Sequence, residues 1–203
     1  MKLSEMLQPL SEYEAVGEVD IEITDVAYDS RKVSEGSVFF CIRGFEADGH
    51  DYALEAVKRG ATAVVVMQRL ELPPEVTQVV VKDSREAMAL MSVAFFQNPS
   101  AAMTTVGVTG TNGKTSTTHM IKAILESRGH KVGLVGTITN MIGDVRIHTE
   151  RTTPESADLQ RLLRGMADQG VDTVVMEVSS HSLTLKRVNG IEFDVAVFTN
   201  LTQ

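Results

Sequence analysis

Gly107-Val108-Thr109-Gly110-Thr111-Asn112-Gly113-Lys114-Thr115-Ser116 is the stretch on which the reading of the fold turns. It continues an apolar run through Val106 and Val108 and opens a helical pattern. A glycine-rich turn between a strand and a helix lets backbone N–H groups surround a polyphosphate, because glycine has no Cβ to block the approach. Lys114 then reaches the outer phosphates as a point charge, and Thr115 offers a hydroxyl to Mg2+. The stretch predicts a phosphate loop for ATP or GTP, held by Gly110, Thr111, Asn112, Gly113, Lys114, Thr115 and Ser116. The general motif has a glycine where this chain has Val108, with Gly107 and Gly110 on either side. A bare Gly-Lys-Thr also arises in surface turns; the strand before it and the helix after it favour the phosphate loop.

Outward from that loop, short apolar runs alternate with amphipathic helical patterns. The runs are Val38–Ile42, Ala63–Met67, Val79–Val81, Thr105–Val108, Val132–Val135, Val174–Val178 and Val195–Phe198. They are continuous rather than alternating, which predicts strands buried on both faces of a parallel sheet. Asp51 reads as the cap of a short helix that stops at Gly60. Asp83 and Glu86 have capping-box spacing ahead of Met88, Met91 and Phe95. Ile121, Ile124 and Leu125 form the expected inner stripe of the helix after the phosphate loop, closed by Gly129. Thr153-Pro154 reads as N-cap and first residue of a helix that turns Leu159, Leu162, Leu163 and Met166 inward and ends at Gly170. Asn98-Pro99-Ser100 is a polar break. The expected fold is therefore α/β: a small first domain over residues 1–98, then a phosphate-loop domain with a mainly parallel sheet over residues 99–203.

Bulk properties narrow the classes of function. The chain has 203 residues and a net charge of −8, from 19 Lys+Arg against 27 Asp+Glu. It has no basic run, which argues against nucleic-acid binding. Cys41 is the single cysteine, so no internal disulfide forms, and a reducing cytoplasm fits. No long apolar segment follows Lys2, so no signal peptide is expected. No stretch approaches the roughly 18–20 apolar residues of a membrane span.

Other polar residues cluster at strand ends. Glu177 closes the run Val174–Val178, where a carboxylate either holds Mg2+ across the sheet top or is a solvated strand-end acid. An acid in an apolar strand is costly unless it is paired or metal-bound, which favours the first reading. Ser179-Ser180-His181 lacks the Gly-x-Ser-x-Gly elbow of a hydrolase nucleophile, so it reads as polar groups contacting a substrate. His181 is a ligand, a contact or a helix cap. Arg151-Thr152-Thr153-Pro154 is either a plain helix start, which physics alone favours, or an anion-binding N-terminus. Asp29-Ser30-Arg31 reads first as a solvated turn.

Together these segments resemble the Mur ligases of peptidoglycan synthesis. Thr109-Gly110-Thr111-Asn112-Gly113-Lys114-Thr115 is the variant of the phosphate loop found in that family, which accounts for Val108. Asp29-Ser30-Arg31, Gly36-Ser37-Val38-Phe39-Phe40 and Arg43-Gly44 leading to Asp48-Gly49-His50-Asp51-Tyr52 resemble the UDP-binding domain of the third and fourth ligases of the pathway. Thr152-Thr153-Pro154-Glu155, Met176-Glu177-Val178-Ser179-Ser180-His181 and Phe198-Thr199-Asn200-Leu201-Thr202 resemble the third. The resemblance implies ATP-dependent amide formation. The γ-phosphoryl group goes to the D-glutamyl side chain of UDP-MurNAc-L-Ala-D-Glu, and a diamino acid then attacks the acyl phosphate. It implies Lys114 and Glu177 as catalytic residues and Thr115 and Glu177 as holders of Mg2+. It implies Ser30 against the uridine diphosphate, and Thr152, Thr153, Ser179 and Arg187 against the muramoyl-peptide. Two positions depart from the family: Phe45-Glu46-Ala47 replaces a His-Gln-Ala sequence, and Leu185 stands where some members place a glutamine. The family's second metal site and its amino-acid-selecting domain, with the diamino acid site, lie beyond these residues, so the isolated chain is expected not to ligate. The rival readings are the D-Ala-D-Ala-adding ligase, a non-catalytic nucleotide- or precursor-binding fragment, and an unrelated phosphate-loop ATPase.

Overall fold

Each continuous apolar run becomes a strand. The structure, a computed structural model, describes residues 1–147 and 153–202. The chain divides into two compact units, Met1–Phe95 and Phe96–Gln203.

In the first unit, α1 (Leu3–Met6), β1 (Glu14–Val16) and β2 (Asp25–Ala27) come first. They are followed by β3 (Ser37–Phe40), α2 (Ala53–Lys58), β4 (Ala61–Val66), β5 (Thr77–Val80) and α3 (Ser84–Phe95). The sheet order is β1-β5-β4-β3-β2; β2 to β5 are parallel and β1 joins β5 antiparallel. The central strands are largely apolar because both faces are covered, and of their polar residues Ser37, Thr77 and Gln78 are buried as well. Phe39, Val64 and Val66 pack with Ala53 and Ala56 of α2. On α3, which lies against β3 and β4, Met88 and Met91 are buried. β1 and β2 escape a sequence reading because each is three residues that open on an acid, Glu14-Ala15-Val16 and Asp25-Val26-Ala27, and so hold no continuous apolar run. Asp51 does not cap α2, which starts after Tyr52 with no side-chain cap; the capping side chain is Asp48, at the start of the 3-10 turn that leads into α2. Asp48 lies one short 3-10 turn upstream, and its side chain accepts from the His50 N–H. Gly60, at φ +108°, ends the segment in a conformation that favours glycine.

The second unit runs β6 (Thr104–Thr109), α4 (Lys114–Ser127), β7 (Val132–Val135), β8 (Asn140–Ile142) and β9 (Val145–Ile147). It continues through α5 (Ser156–Asp168), β10 (Thr173–Glu177), α6 (Ser180–Thr184) and β11 (Val195–Phe198). The sheet order is β11-β6-β10-β7-β8-β9; the first four strands are parallel, and β8 and β9 add an antiparallel hairpin. Side chains alternate between two cores. Val106, Val108, Val132, Leu134 and Val175 meet Ile121 and Leu125 of α4 on one face. Val135, Val174 and Met176 meet Leu159, Leu163 and Met166 of α5 on the other. Burying a leucine or methionine side chain of this kind contributes about 1.5–3 kcal/mol.

Two helix expectations are corrected here. Ile124 is 63% exposed and is not part of the inner stripe. The buried face of α4 is set by Thr118, Ile121, Lys122 and Leu125, with Lys122 paired to Glu126 at 2.6 Å. At 3.6 residues per turn, Ile124 points roughly a third of a turn away from the middle of that face. The helix after Pro154 begins at Ser156, with Glu155 rather than Thr153 at its N-cap. Thr153 is drawn instead to the end of β10, where its hydroxyl donates to the Glu177 carbonyl at 3.0 Å.

Candidate functional site

Strand order brings the phosphate loop and Glu177 together. From β6 the chain passes through α4 to β7, returns to β10 between them, and then crosses to β11 on the far side of β6. The loops after β6, β10 and β11 thus meet at a topological switch on the carboxyl edge of the sheet, where open α/β sheets place their ligands.

The loop itself has the backbone its sequence requires. Gly110 at φ +136° and Gly113 at φ +84° take conformations that other residues rarely adopt. Val108 is a fully buried strand residue facing the α4 core, so the Val-for-Gly departure falls in the strand and not in the turn. Lys114 opens α4, and its Nζ donates to the carbonyls of Gly110 at 2.7 Å and Thr111 at 3.1 Å. The amides at the start of α4 have no partner within the helix and point outward at its positive end.

Glu177 is 1% exposed yet fully engaged. Its Oε2 accepts from the hydroxyls of Thr115 at 3.1 Å and Thr137 at 2.9 Å, and its Oε1 accepts from the Thr137 N–H at 3.0 Å. The close approach leaves no room at Gly136, where a Cβ would lie 2.7 Å from Oε1. Thr115 and Glu177 thus form a pair of hard oxygen donors beside the phosphate loop. Because the Thr115 hydroxyl gives its proton to Glu177, its lone pairs remain for a cation. This donor set suits Mg2+, which takes one or two protein oxygens and completes its shell with phosphates and water. Among the described residues, no group of three His, Cys, Asp or Glu side chains is placed to hold a metal by itself.

The other anticipated residues have definite places. Ser179 caps α6, accepting from the Ser182 N–H at 3.1 Å. His181 is exposed in the first turn of α6 and is not its cap. Arg187 makes a nearly buried ion pair with Glu155 at 2.7 Å and also donates to the Thr153 carbonyl at 3.2 Å. Thr153, Glu155 and Arg187 therefore form one network, attached to β10 through the Glu177 carbonyl. Thr152 lies outside the described residues. Ser30 belongs to the first unit, buried at the start of a 3-10 turn that Asp29 caps. The Arg31 side chain beside Asp29 holds that carboxyl below its ordinary range. A sequence reading misses Thr137, and it quotes Glu155 within a motif without giving it a role. A threonine one residue past Gly136 carries no pattern, and the partners of both residues are set only when separate strand ends meet.

The sheet between α4 and α5, the glycine-rich turn from β6 into α4 and the buried carboxylate at the switch point define an α/β protein of the phosphate-loop-like class. Sequence profiles narrow the class: "Mur ligase family, catalytic domain" matches residues 22–103 and "Mur ligase middle domain" matches residues 108–203. The chain belongs to the Mur ligase family. It is 52% identical to a UDP-N-acetylmuramoyl-L-alanyl-D-glutamate--2,6-diaminopimelate ligase of Caldanaerobacter subterraneus subsp. tengcongensis, over 100% of this chain and 42% of that one. A solved structure of a ligase with the same printed activity superposes with a TM-score of 0.84 at 26% identity, covering 100% of this chain and 41% of the other. The MurF ligase from Thermotoga maritima in complex with ADP shares the fold, with a TM-score of 0.57 at 23% identity over 87% of this chain and 37% of that one. The chain spans about two fifths of the length of the curated relatives it matches. No helix among the described residues is long and apolar enough to cross a membrane.

Proposed function

We propose that this chain supplies the precursor-binding and nucleotide-binding parts of an ATP-dependent ligase that adds a diamino acid to UDP-MurNAc-L-Ala-D-Glu. The relatives' printed activity favours 2,6-diaminopimelate as that amino acid. The observation that carries the reading is the meeting of Thr115 with the buried Glu177 carboxylate beside Lys114. Phosphoryl transfer depends on positioning and charge neutralisation rather than on covalent chemistry by the protein. Lys114 would exchange its two carbonyl partners for phosphate oxygens. The amides at the start of α4 would grip the phosphate chain. Thr115 and Glu177 would hold Mg2+, whose charge offsets that building on the transferred group. The precursor's D-glutamyl carboxylate would receive the γ-phosphoryl group and become an acyl phosphate open to attack by an amine. Thr153, Ser179 and Arg187, and Thr152 by resemblance alone, would contact the muramoyl-peptide, and Ser30 in the first unit would contact the uridine diphosphate. Arg187 would hold a carboxylate or phosphate only by sharing its guanidinium with Glu155. The diamino acid would bind outside these 203 residues.

Calorimetric titration of the folded chain with Mg·ADP, and separately with UDP-MurNAc-L-Ala-D-Glu, tests both halves of this reading. Saturable binding of Mg·ADP that Lys114→Ala weakens at least about tenfold is expected, as for loss of a charge-assisted contact. Equal binding by Lys114→Ala overturns the phosphate-loop assignment. Preference for the dipeptide precursor over the tripeptide precursor separates this ligase from the D-Ala-D-Ala-adding one.

A further inference from the structure

The segment after β11 is tied to the phosphate loop by side chains that no functional assignment uses. Thr199 Oγ1 donates its single proton to the Asn112 carbonyl at 2.7 Å, with the Thr109 carbonyl 3.2 Å away as the alternative acceptor. Asn200 grasps Asn112 from both sides: its Oδ1 accepts from the Asn112 N–H at 3.1 Å, and its Nδ2 donates to the Asn112 carbonyl at 3.1 Å. The Asn200 carbonyl accepts from the Thr111 N–H at 2.9 Å. An independent observation comes from Gly110. A Cβ there would lie 2.1 Å from Thr199 Oγ1 and 2.9 Å from the Asn200 carbonyl oxygen. The absence of a side chain at Gly110 thus makes room for this segment. At Gly113, by contrast, the nearest atom to such a Cβ is Thr199 Cβ at 4.0 Å, so only its positive φ calls for glycine.

We propose that Thr199 and Asn200 are positioning residues for the phosphate loop, bracing Asn112 so that the loop is in shape to take the nucleotide before it arrives. The inference rests on the nucleotide-binding reading of the site. With the Thr111 and Asn112 amides spent on Asn200, the phosphates are left to the amides from Gly113 to Ser116. Those amides lie at the positive end of α4, and among the described residues they have no backbone partner in the turns and loops around the site. A loop held in its binding shape spends less interaction energy on ordering when ligand arrives.

The test uses the 203-residue chain with Mg·ADP as probe, in the wild type and in Asn200→Ala, Thr199→Val and Thr199→Ser. Asn200→Ala and Thr199→Val are expected to raise the dissociation constant about tenfold, and Thr199→Ser, which keeps the hydroxyl, to restore it. Amide exchange read by NMR without nucleotide should show the Asn112 N–H losing protection in Asn200→Ala while the core amides of Val106 and Val175 keep theirs. Unchanged affinity in both variants overturns the proposal. So does tighter binding, which would make the segment a competitor of phosphate, and so does a loss of protection spread equally over the core, which would make the role one of general stability. A wild-type chain that binds no Mg·ADP sinks the nucleotide reading and this inference with it; a wild type that binds, with Asn200→Ala binding equally, sinks this inference alone.

Discussion

Glu177 shows how a single residue carries two demands. A buried carboxylate without partners is heavily penalised, and here three donors from Thr115 and Thr137 supply the compensation. Glu177→Ala would leave those donors facing a void. Urea unfolding should show a loss of about 1–3 kcal/mol for the orphaned groups, together with loss of the Mg2+ dependence of nucleotide binding. Wild-type stability in that variant would mean that the carboxylate is not engaged as described. Cys41 makes a simpler case. It is fully buried at the end of β3, and burial pushes its thiol up to about 12. Because the thiolate is the reactive form, the folded chain should resist alkylation at neutral pH and react once denaturant opens the first unit. Fast labelling of the native chain would contradict that packing.

At the scale of elements, ends and faces decide more than propensity. The 3-10 turn ahead of α2 depends on Asp48. The His50 backbone N–H holds its carboxyl down to about 2, with the His50 ring and Arg43 adding to the effect. A depressed carboxyl stabilises the fold above its unfolded value of about 4, and that stabilisation disappears as pH falls through the folded value. Asp48→Asn keeps a capping oxygen but not the charge. It should therefore destabilise the chain at pH 7, by a margin that shrinks between pH 4 and pH 2; a margin independent of pH would refute the charge argument. The two principal helices of the second unit make a matched pair of tests. Leu159→Ala on the buried face of α5 should cost about 2–5 kcal/mol, as cavities of that kind do. Ile124→Glu on α4 should change stability by no more than about 0.5 kcal/mol, since the side chain already faces outward. A large loss for Ile124→Glu would return it to the inner stripe that periodicity alone assigns.

At the scale of the whole molecule, each unit has its own sheet and its own core, so residues 1–95 are expected to fold when expressed alone. A dispersed NMR spectrum and a cooperative melt would bear that out, and a random-coil spectrum would overturn it. The sequence by itself determined the α/β class, the strands that form continuous apolar runs, and the glycine-rich turn between β6 and α4, because each depends on residues adjacent in the chain. Burial on both faces turns a strand into an unbroken apolar run, and a tight turn around phosphate calls for glycines at fixed spacing. The short edge strands left no such trace, nor did the β8–β9 hairpin, which closes through Gly143 at φ +54°. Only the tertiary structure decided which strand ends become neighbours. The order β11-β6-β10-β7 seats Glu177 against Thr115 and Thr137, and Asn200 against Asn112, residues up to 88 positions apart. It also took Thr153 from the start of α5 and gave its hydroxyl to β10. Local sequence cannot encode such contacts: a side chain's partner at the carboxyl edge is set by the order in which strands pair, and that order is settled by the packing of the whole sheet between its helices.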